Sequence, residues 1–215
     1  MMNPREFLLH SRVDPGDGVS IHVDRTSAGW EFIGLTVHAL KPGAPLSVES
    51  DGSEYAIVLL NGTCTVVHEG QRITLGPRGN LFDDPPWTYY LPVGATCSIE
   101  AGSVSEIAIC RSRATTVHPA RLIQPSNVAI EIRGAGNATR EIRHIIKPEF
   151  PADKLLVVEV ITPSGNWSSY PPHKHDIHDM PREADLEEIY YYRIDSPDGF
   201  GLQRLYTADG SVDEA

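Results

Sequence analysis

The sequence has no apolar run approaching the ~20 residues that a membrane-spanning helix needs. Its first ten residues, Met1 to His10, lack the apolar core of a secretion signal. A cationic excess is also missing: 18 Lys and Arg stand against 29 Asp and Glu, a formal charge of −11. A nucleic-acid or anionic-membrane partner, which requires a basic face, is therefore not expected. Cysteine is scarce. Cys64, Cys97 and Cys110 are widely spaced with no Cys-x-x-Cys pair, and they read as reduced thiols buried in strands rather than as ligands or nucleophiles. These absences together predict a cytoplasmic protein.

What is present points to an all-β chain. Glycine (18) and proline (17) make up about one residue in six, against ~12% in an average protein. Short runs rich in β-branched and aromatic residues recur at Ile21–Val23, Trp30–Leu40, Glu54–Leu60, Cys64–His68, Arg72–Leu75, Tyr89–Leu91, Cys97–Ala101 and Ser105–Arg111. Turn signals separate them, including Asp14-Pro15-Gly16-Asp17-Gly18, Leu60-Asn61-Gly62, Glu69-Gly70 and Gly76-Pro77-Arg78-Gly79. Strands at this spacing, without a sustained helical period, predict an antiparallel sandwich or barrel. The turn grammar from Tyr55 to Pro77 resembles that of a cupin barrel. No His-x-His lies near Ser50–Tyr55 or Trp87–Pro92, so residues 1–120 read as a metal-free cupin-like unit. His22, His38, His68, His118 and His144 read as surface or structural histidines. Residues 121–137 change character, with Gln124-Pro125-Ser126-Asn127 and Gly134-Ala135-Gly136-Asn137, and read as a connection. A second unit over 138–215 follows, in which Leu155–Ile161 reads as a strand buried on both faces.

The chemistry concentrates in that second unit. In Tyr170-Pro171-Pro172-His173-Lys174-His175-Asp176 an extended backbone turns His173 and His175 to one face, ~6.5–7 Å apart at Cα, where both imidazoles can reach one cation. Two prolines stiffen the approach. After a polar loop, Leu186-Glu187-Glu188-Ile189-Tyr190-Tyr191-Tyr192-Arg193 reads as a second strand, so that a hairpin would carry the site. One of its two glutamates must face inward. Glu188 is preferred because it brings Tyr190 and Tyr192 with it, whereas Glu187 would bury Arg193. Two imidazoles and a carboxylate suit a divalent metal, with Zn, Mn, Fe, Co and Ni all compatible and zinc the expectation.

These motifs, with Gly199-Phe200-Gly201-Leu202-Gln203-Arg204-Leu205-Tyr206-Thr207, resemble the 5-deoxy-glucuronate isomerases of bacterial inositol catabolism. That family consists of bicupins related to the 5-keto-4-deoxyuronate isomerases of pectin breakdown. The resemblance implies two antiparallel jelly-roll halves, metal ligands at His173, His175 and Glu188, and an aldose–ketose isomerisation yielding 5-dehydro-2-deoxy-gluconate. Members continue past Asp209-Gly210-Ser211-Val212-Asp213-Glu214-Ala215 with strands that complete the second barrel and with a Gly-Tyr-His-Pro segment whose histidine is a fourth ligand. The resemblance therefore implies a C-terminally truncated chain with an incomplete second half, whose open strand edges favour pairing as a homodimer. Tyr190 and Tyr192 are candidates for orienting the substrate or moving a proton, since a phenol beside a metal can have a lowered pKa; core aromatics with a satisfied hydroxyl are the plainer reading. Arg182 and Arg204 are candidates for the uronate carboxylate. Two other functions fit the same residues: an Fe(II) cupin oxygenase, because two His and a Glu also form a facial triad, and a non-catalytic sugar-binding cupin.

Overall fold

The computed structural model of the chain describes residues 8–13, 16–49 and 51–215. The expected Asp14-Pro15 turn start, the N-terminal residues 1–7 and Ser50 lie outside the described residues. Strands β1 (Val19–Val23), β2 (Ile33–Leu40), β3 (Pro45–Val48), β4 (Ser53–His68), β5 (Gln71–Arg78), β6 (Thr88–Leu91), β7 (Cys97–Ala101), β8 (Ser105–Arg113) and β9 (Arg121–Ile123) form one nine-stranded system. A three-stranded sheet follows from β10 (Ala129–Arg133), β11 (Arg140–Ile146) and β12 (Val157–Ile161), then a small pair, β13 (Leu205–Tyr206) and β14 (Asp213–Glu214). All these pairings are antiparallel. Among the described residues, no helix is long and apolar enough to cross a membrane. The stretch 121–137 contributes a strand to each system, β9 beside β6 and β10 beside β11.

The 16-residue strand β4 organises the larger system. Its first half pairs with β8 and β6, and its second half with β5 and β7. Asn61-Gly62, expected to close a hairpin, instead lies inside the strand. The ladder is irregular between Leu59 and Asn61 against β8, and between Gly62 and Cys64 against β5. An extra residue shifts the side-chain alternation: Tyr55, Ile57 and Leu59 enter the same core as Cys64 and Val66. Gly62 has φ +89° there, and a Cβ would lie 2.4 Å from the Val104 carbonyl oxygen. The left-handed backbone that suits a hairpin turn serves equally to bend a strand from one sheet into another. Gly76-Pro77-Arg78, also expected to turn, continues β5.

Both faces of the first half of β4 are covered. One face joins Tyr89, Leu91, Ile99 and Ile107 in a core within the nine-stranded system. The other, with Ala56, Val58 and Leu60, packs with Leu35, Val37 and Tyr90 against Val128, Ile145, Ile146 and Leu155 of the second part of the chain. Two-sided burial explains the unbroken apolar run Tyr55–Leu60, and each fully buried large side chain contributes about 1.5–3 kcal/mol. The run Leu155–Ile161, which contains β12, differs from expectation: Leu156, Val158 and Val160 are 40–50% exposed. Its apolar run resembles a strand covered on both faces, but among the described residues one face has little cover.

Polar contacts rivet the seam between the two parts. Glu54, fully buried on β4, accepts the amides of Asp153 (2.9 Å), Lys154 (2.7 Å) and Leu155 (2.8 Å) and the Tyr90 hydroxyl (2.6 Å). Asp153 in turn accepts the amides of Thr115 and Thr116. Arg78, fully buried, makes a two-pronged pair with Glu159, both bonds 2.8 Å, and donates to the carbonyls of Leu59, Leu81 and Asp84. Arg143 from β11 reaches the carbonyls of Leu81, Phe82, Asp83 and Asp84. The histidines fall into similar local roles: His68 bonds the Tyr89 hydroxyl, His22 bonds Thr36 and His144 pairs with Glu131. Burial pushes the Cys64 and Cys110 thiols up to about 12 and Cys97 up to about 11, so all three are protonated and unreactive at neutral pH.

Replacing Glu54 by Ala strands three amides and a phenol, and should lower the unfolding free energy by about 3–5 kcal/mol. Urea denaturation measures it. An unchanged midpoint would remove Glu54 from the seam.

Candidate metal centre

The chain leaves β12 through a turn at Pro163–Asn166, where the Asn166 amide donates to Pro163, its side chain to the Thr139 carbonyl, and the Trp167 amide to the Asn137 carbonyl. From there to β13 the backbone is largely extended but forms no regular ladder. Both segments expected to form the hairpin, around His173–His175 and Glu187–Arg193, lack strand pairing. They touch through one backbone hydrogen bond, Leu186 amide to His175 carbonyl at 3.1 Å. A ladder needs donors, which Pro171 and Pro172 cannot provide, and a neighbouring backbone in register. The loop between them is held instead by Glu183, which accepts the amides of Asp176 (2.8 Å) and Ile177 (3.0 Å) and pairs with Lys174 at 2.8 Å. Lys174, between the two histidines in sequence, is engaged there. Its ammonium is the main reason the Glu183 carboxyl lies below its usual range.

His173, His175 and Glu188 converge. One ligand atom from each lies within 4.8 Å of the others, and the imidazole centroids are 5.1 Å apart at an interplanar angle of 79°. His175 Nδ1 lies 3.2 Å from the Ala184 carbonyl oxygen. A carbonyl can only accept, so Nδ1 carries the proton and Nε2 keeps its lone pair, the usual arrangement behind a metal-binding imidazole. Two donors at ~2.0–2.2 Å from one ion are about 4.4 Å apart at most, when opposite, and about 3.3–3.6 Å apart at a tetrahedral angle. The residue types suit a first-row divalent cation, and the widest pair of the cluster would close by about 1 Å to share one.

Alternation along 187–193 separates two kinds of residue. Glu187 faces the nine-stranded system and accepts the amides of Glu31 (2.6 Å), Phe32 (2.9 Å) and Ile33 (3.0 Å). Ile189 and Tyr191 pack on the second core; Tyr191 bonds Glu106 at 3.3 Å, and Arg193 forms an ion pair with the same carboxylate. Glu188, Tyr190 and Tyr192 take the other face, where the two phenols stack at 5.9 Å with planes 8° apart. Tyr192 donates to Gln203 Oε1 at 2.8 Å. Burial pushes the Tyr190 hydroxyl up to about 12; Ser169 opposes this and the Glu188 charge adds to it. Tyr192 is raised by burial first and then by Glu188. Both shifts come from the protein's own groups, burial first, and are separate from any effect of a neighbouring cation.

Arg182 is paired with Asp179 at 2.7 Å in the loop between the ligands, with its side chain 81% exposed. Arg204 is paired with Asp213 at 2.7 and 2.8 Å in the β13–β14 pair, over the Tyr206 ring. The fold therefore gathers the three donors and the two tyrosines and engages each arginine locally. Sequence reasoning did not find the anchoring roles of Glu187, Glu54 or Arg78, whose partners are backbone groups or side chains tens of residues away.

The sequence matches the KduI/IolB family over residues 7–215. It is 44% identical over 210 residues to a 5-deoxy-glucuronate isomerase of Geobacillus thermodenitrificans, covering 97% of this chain and 77% of the relative. It is 37% identical over 195 residues to the 5-deoxy-glucuronate isomerase of Bacillus subtilis strain 168, covering 89% and 72%. A solved structure of an IolB-like protein from Salmonella typhimurium LT2 superposes with a TM-score of 0.91 at 37% identity, covering 96% of this chain and 78% of that one.

Substituting His175 by Ala should reduce bound transition metal from about one equivalent to a small fraction of that, as measured by elemental analysis after gel filtration in metal-supplemented buffer. Full retention of metal in the variant would place the binding elsewhere.

Proposed function

The chain belongs to the KduI/IolB family, and from that membership we propose that it is a metal-dependent sugar-acid isomerase converting 5-deoxy-glucuronate to 5-dehydro-2-deoxy-gluconate in myo-inositol catabolism. The observation that carries the reading is the convergence of His173, His175 and Glu188 in a chain whose relatives bear that isomerase name. We read residues 1–120 and 138–215 as two cupin units, with the donors on the second.

The reaction relocates hydrogen within one molecule: C2 loses a hydrogen and C1 gains one, while the hydroxyl proton moves from O2 to O1. No external oxidant or reductant is consumed. A divalent cation held by His173, His175 and Glu188 would supply Lewis acidity at the substrate oxygens. Zinc is the expected ion, and the donor set also accepts Mn, Fe, Co or Ni. The residues of the chain orient the substrate and handle its protons. Tyr190, half-buried beside Glu188, can donate its hydroxyl proton to a substrate oxygen. Tyr192, stacked on Tyr190 and bonded to Gln203, holds that ring in place. Arg182 and Arg204 are our candidates for the substrate carboxylate; each would exchange its present aspartate for the ligand.

Dialysis against a chelator should abolish isomerisation of the uronate, and added divalent metal should restore it, without oxygen uptake at any stage. Tyr190→Phe should lower kcat by about 10²-fold or more with little change in KM. Chelated protein with undiminished turnover would overturn the metal-dependent reading, and iron-dependent oxygen consumption would replace the isomerase with an oxygenase.

A further inference from the structure

We propose that Glu187 is a positioning residue that sets the register of the ligand-bearing segment, so that the N-terminal half serves as the bed of a metal site to which it gives no ligand. This inference rests on the metal-centre reading above.

The segment 186–193 needs such a device. In a β-sheet, the register of a strand is fixed by a ladder, and a slip of one residue exchanges its two faces. Here there is no ladder, and among the described residues the segment's backbone is anchored by the Leu186–His175 bond alone. Its sequence, Glu-Glu-Ile-Tyr-Tyr-Tyr, is also close to self-similar under such a slip. Moving it by one position would place Glu188 where Glu187 lies, Tyr192 where Tyr191 lies, and Ile189 among the metal donors. Apolar packing discriminates poorly between these registers, because a tyrosine replaces a tyrosine.

Charge and hydrogen bonding discriminate well. At one end, Glu187 collects three consecutive amides, a concave donor set of the kind that holds anions. These amides are available for a local reason. Helix α1 (Arg25–Ala28), capped by Asp24, ends on Gly29 in the left-handed conformation, and the β1–β2 pairing stops at Val23 opposite Leu35. The chain between them therefore enters β2 with no strand partner for these donors on that edge. At the other end, Arg193 meets Glu106 of β8, joined by the Tyr191 hydroxyl. Glu187 and Arg193 are six residues apart and share a face. A one-residue slip that left Glu188 in the amide set would bring Ile194 against Glu106, leaving that carboxylate a phenol but no cation. The native register alone satisfies both ends, and it turns Glu188 toward His173 and His175.

The test uses cobalt(II) as the probe, read by its visible absorption and by competition with a chelator of known affinity. Glu187→Ala should bind cobalt about 10–100-fold more weakly than the parent and show an altered spectrum, as loss of a group that orients a ligand does. Glu187→Gln, which keeps one acceptor oxygen, should lose less, and Arg193→Met should lose less than Glu187→Ala because its ion pair is partly exposed. The double variant should exceed either single change. If Glu187→Ala fails to fold, the graded comparison of Glu187→Gln with Arg193→Met decides: parental affinity and spectrum in both overturn the inference. Parental cobalt uptake with equal affinity and spectrum in folded Glu187→Ala overturns the inference alone. A parent protein that takes up no cobalt overturns the metal-centre reading and this inference with it.

Discussion

A carboxylate has two oxygens and room for about four hydrogen bonds, and this fold uses that capacity where a chain arrives with several adjacent amides unpaired. Glu54 on β4 closes over Asp153–Leu155, just before β12, and Glu187 closes over Glu31–Ile33, at the start of β2. Buried amides that lack a partner cost as much as a lost hydrogen bond or more. Each clamp therefore does two jobs, satisfying a local defect and fastening one part of the chain to the other. The donor cluster depends on this fastening, because the segment bearing Glu188 makes no sheet of its own.

Packing and charge reinforce the same seam. The even-numbered face of the first half of β4 is covered by Ile145, Ile146 and Leu155, and the buried pair of Arg78 with Glu159 crosses from β5 to β12. A buried ion pair contributes little over a well-packed apolar substitute, yet breaking it by removing one partner is costly. Its distinctive contribution is directional. With Arg143, Arg78 gathers the carbonyls of 81–84, so a loop of the first part is shaped by a residue of the second.

Most strands were legible because their ends carry turn chemistry and their interiors carry β-branched runs; β7 agrees with expectation to the residue. The errors have identifiable causes. Asn61-Gly62 signals a left-handed backbone, and sequence does not distinguish a hairpin turn from a bulge that passes one strand between two sheets. β12 is as apolar as a doubly covered strand, but coverage belongs to its neighbours. At the site, period-two alternation was enough to favour Glu188 over Glu187 and to group it with Tyr190 and Tyr192. It supplied no ladder, however, and the expected hairpin gives way to extended segments held by side chains. The roles of Glu54, Glu187 and Arg78 were illegible for one reason: their partners are main-chain groups or residues far along the sequence, which leave no pattern around the residue itself.

Domain closure requires a line across which few bonds pass. Between these two parts, bonds run both ways from separate points, carboxylate to amide in each direction and guanidinium to carboxylate besides. Such a joint can neither swing nor shear without breaking several of them at once. The 176–185 loop is tied separately, by the compact set of bonds around Glu183. In kinematic terms the two parts form one frame across the seam, and the loop between the histidines and the glutamate is fastened by its own bonds rather than by that frame.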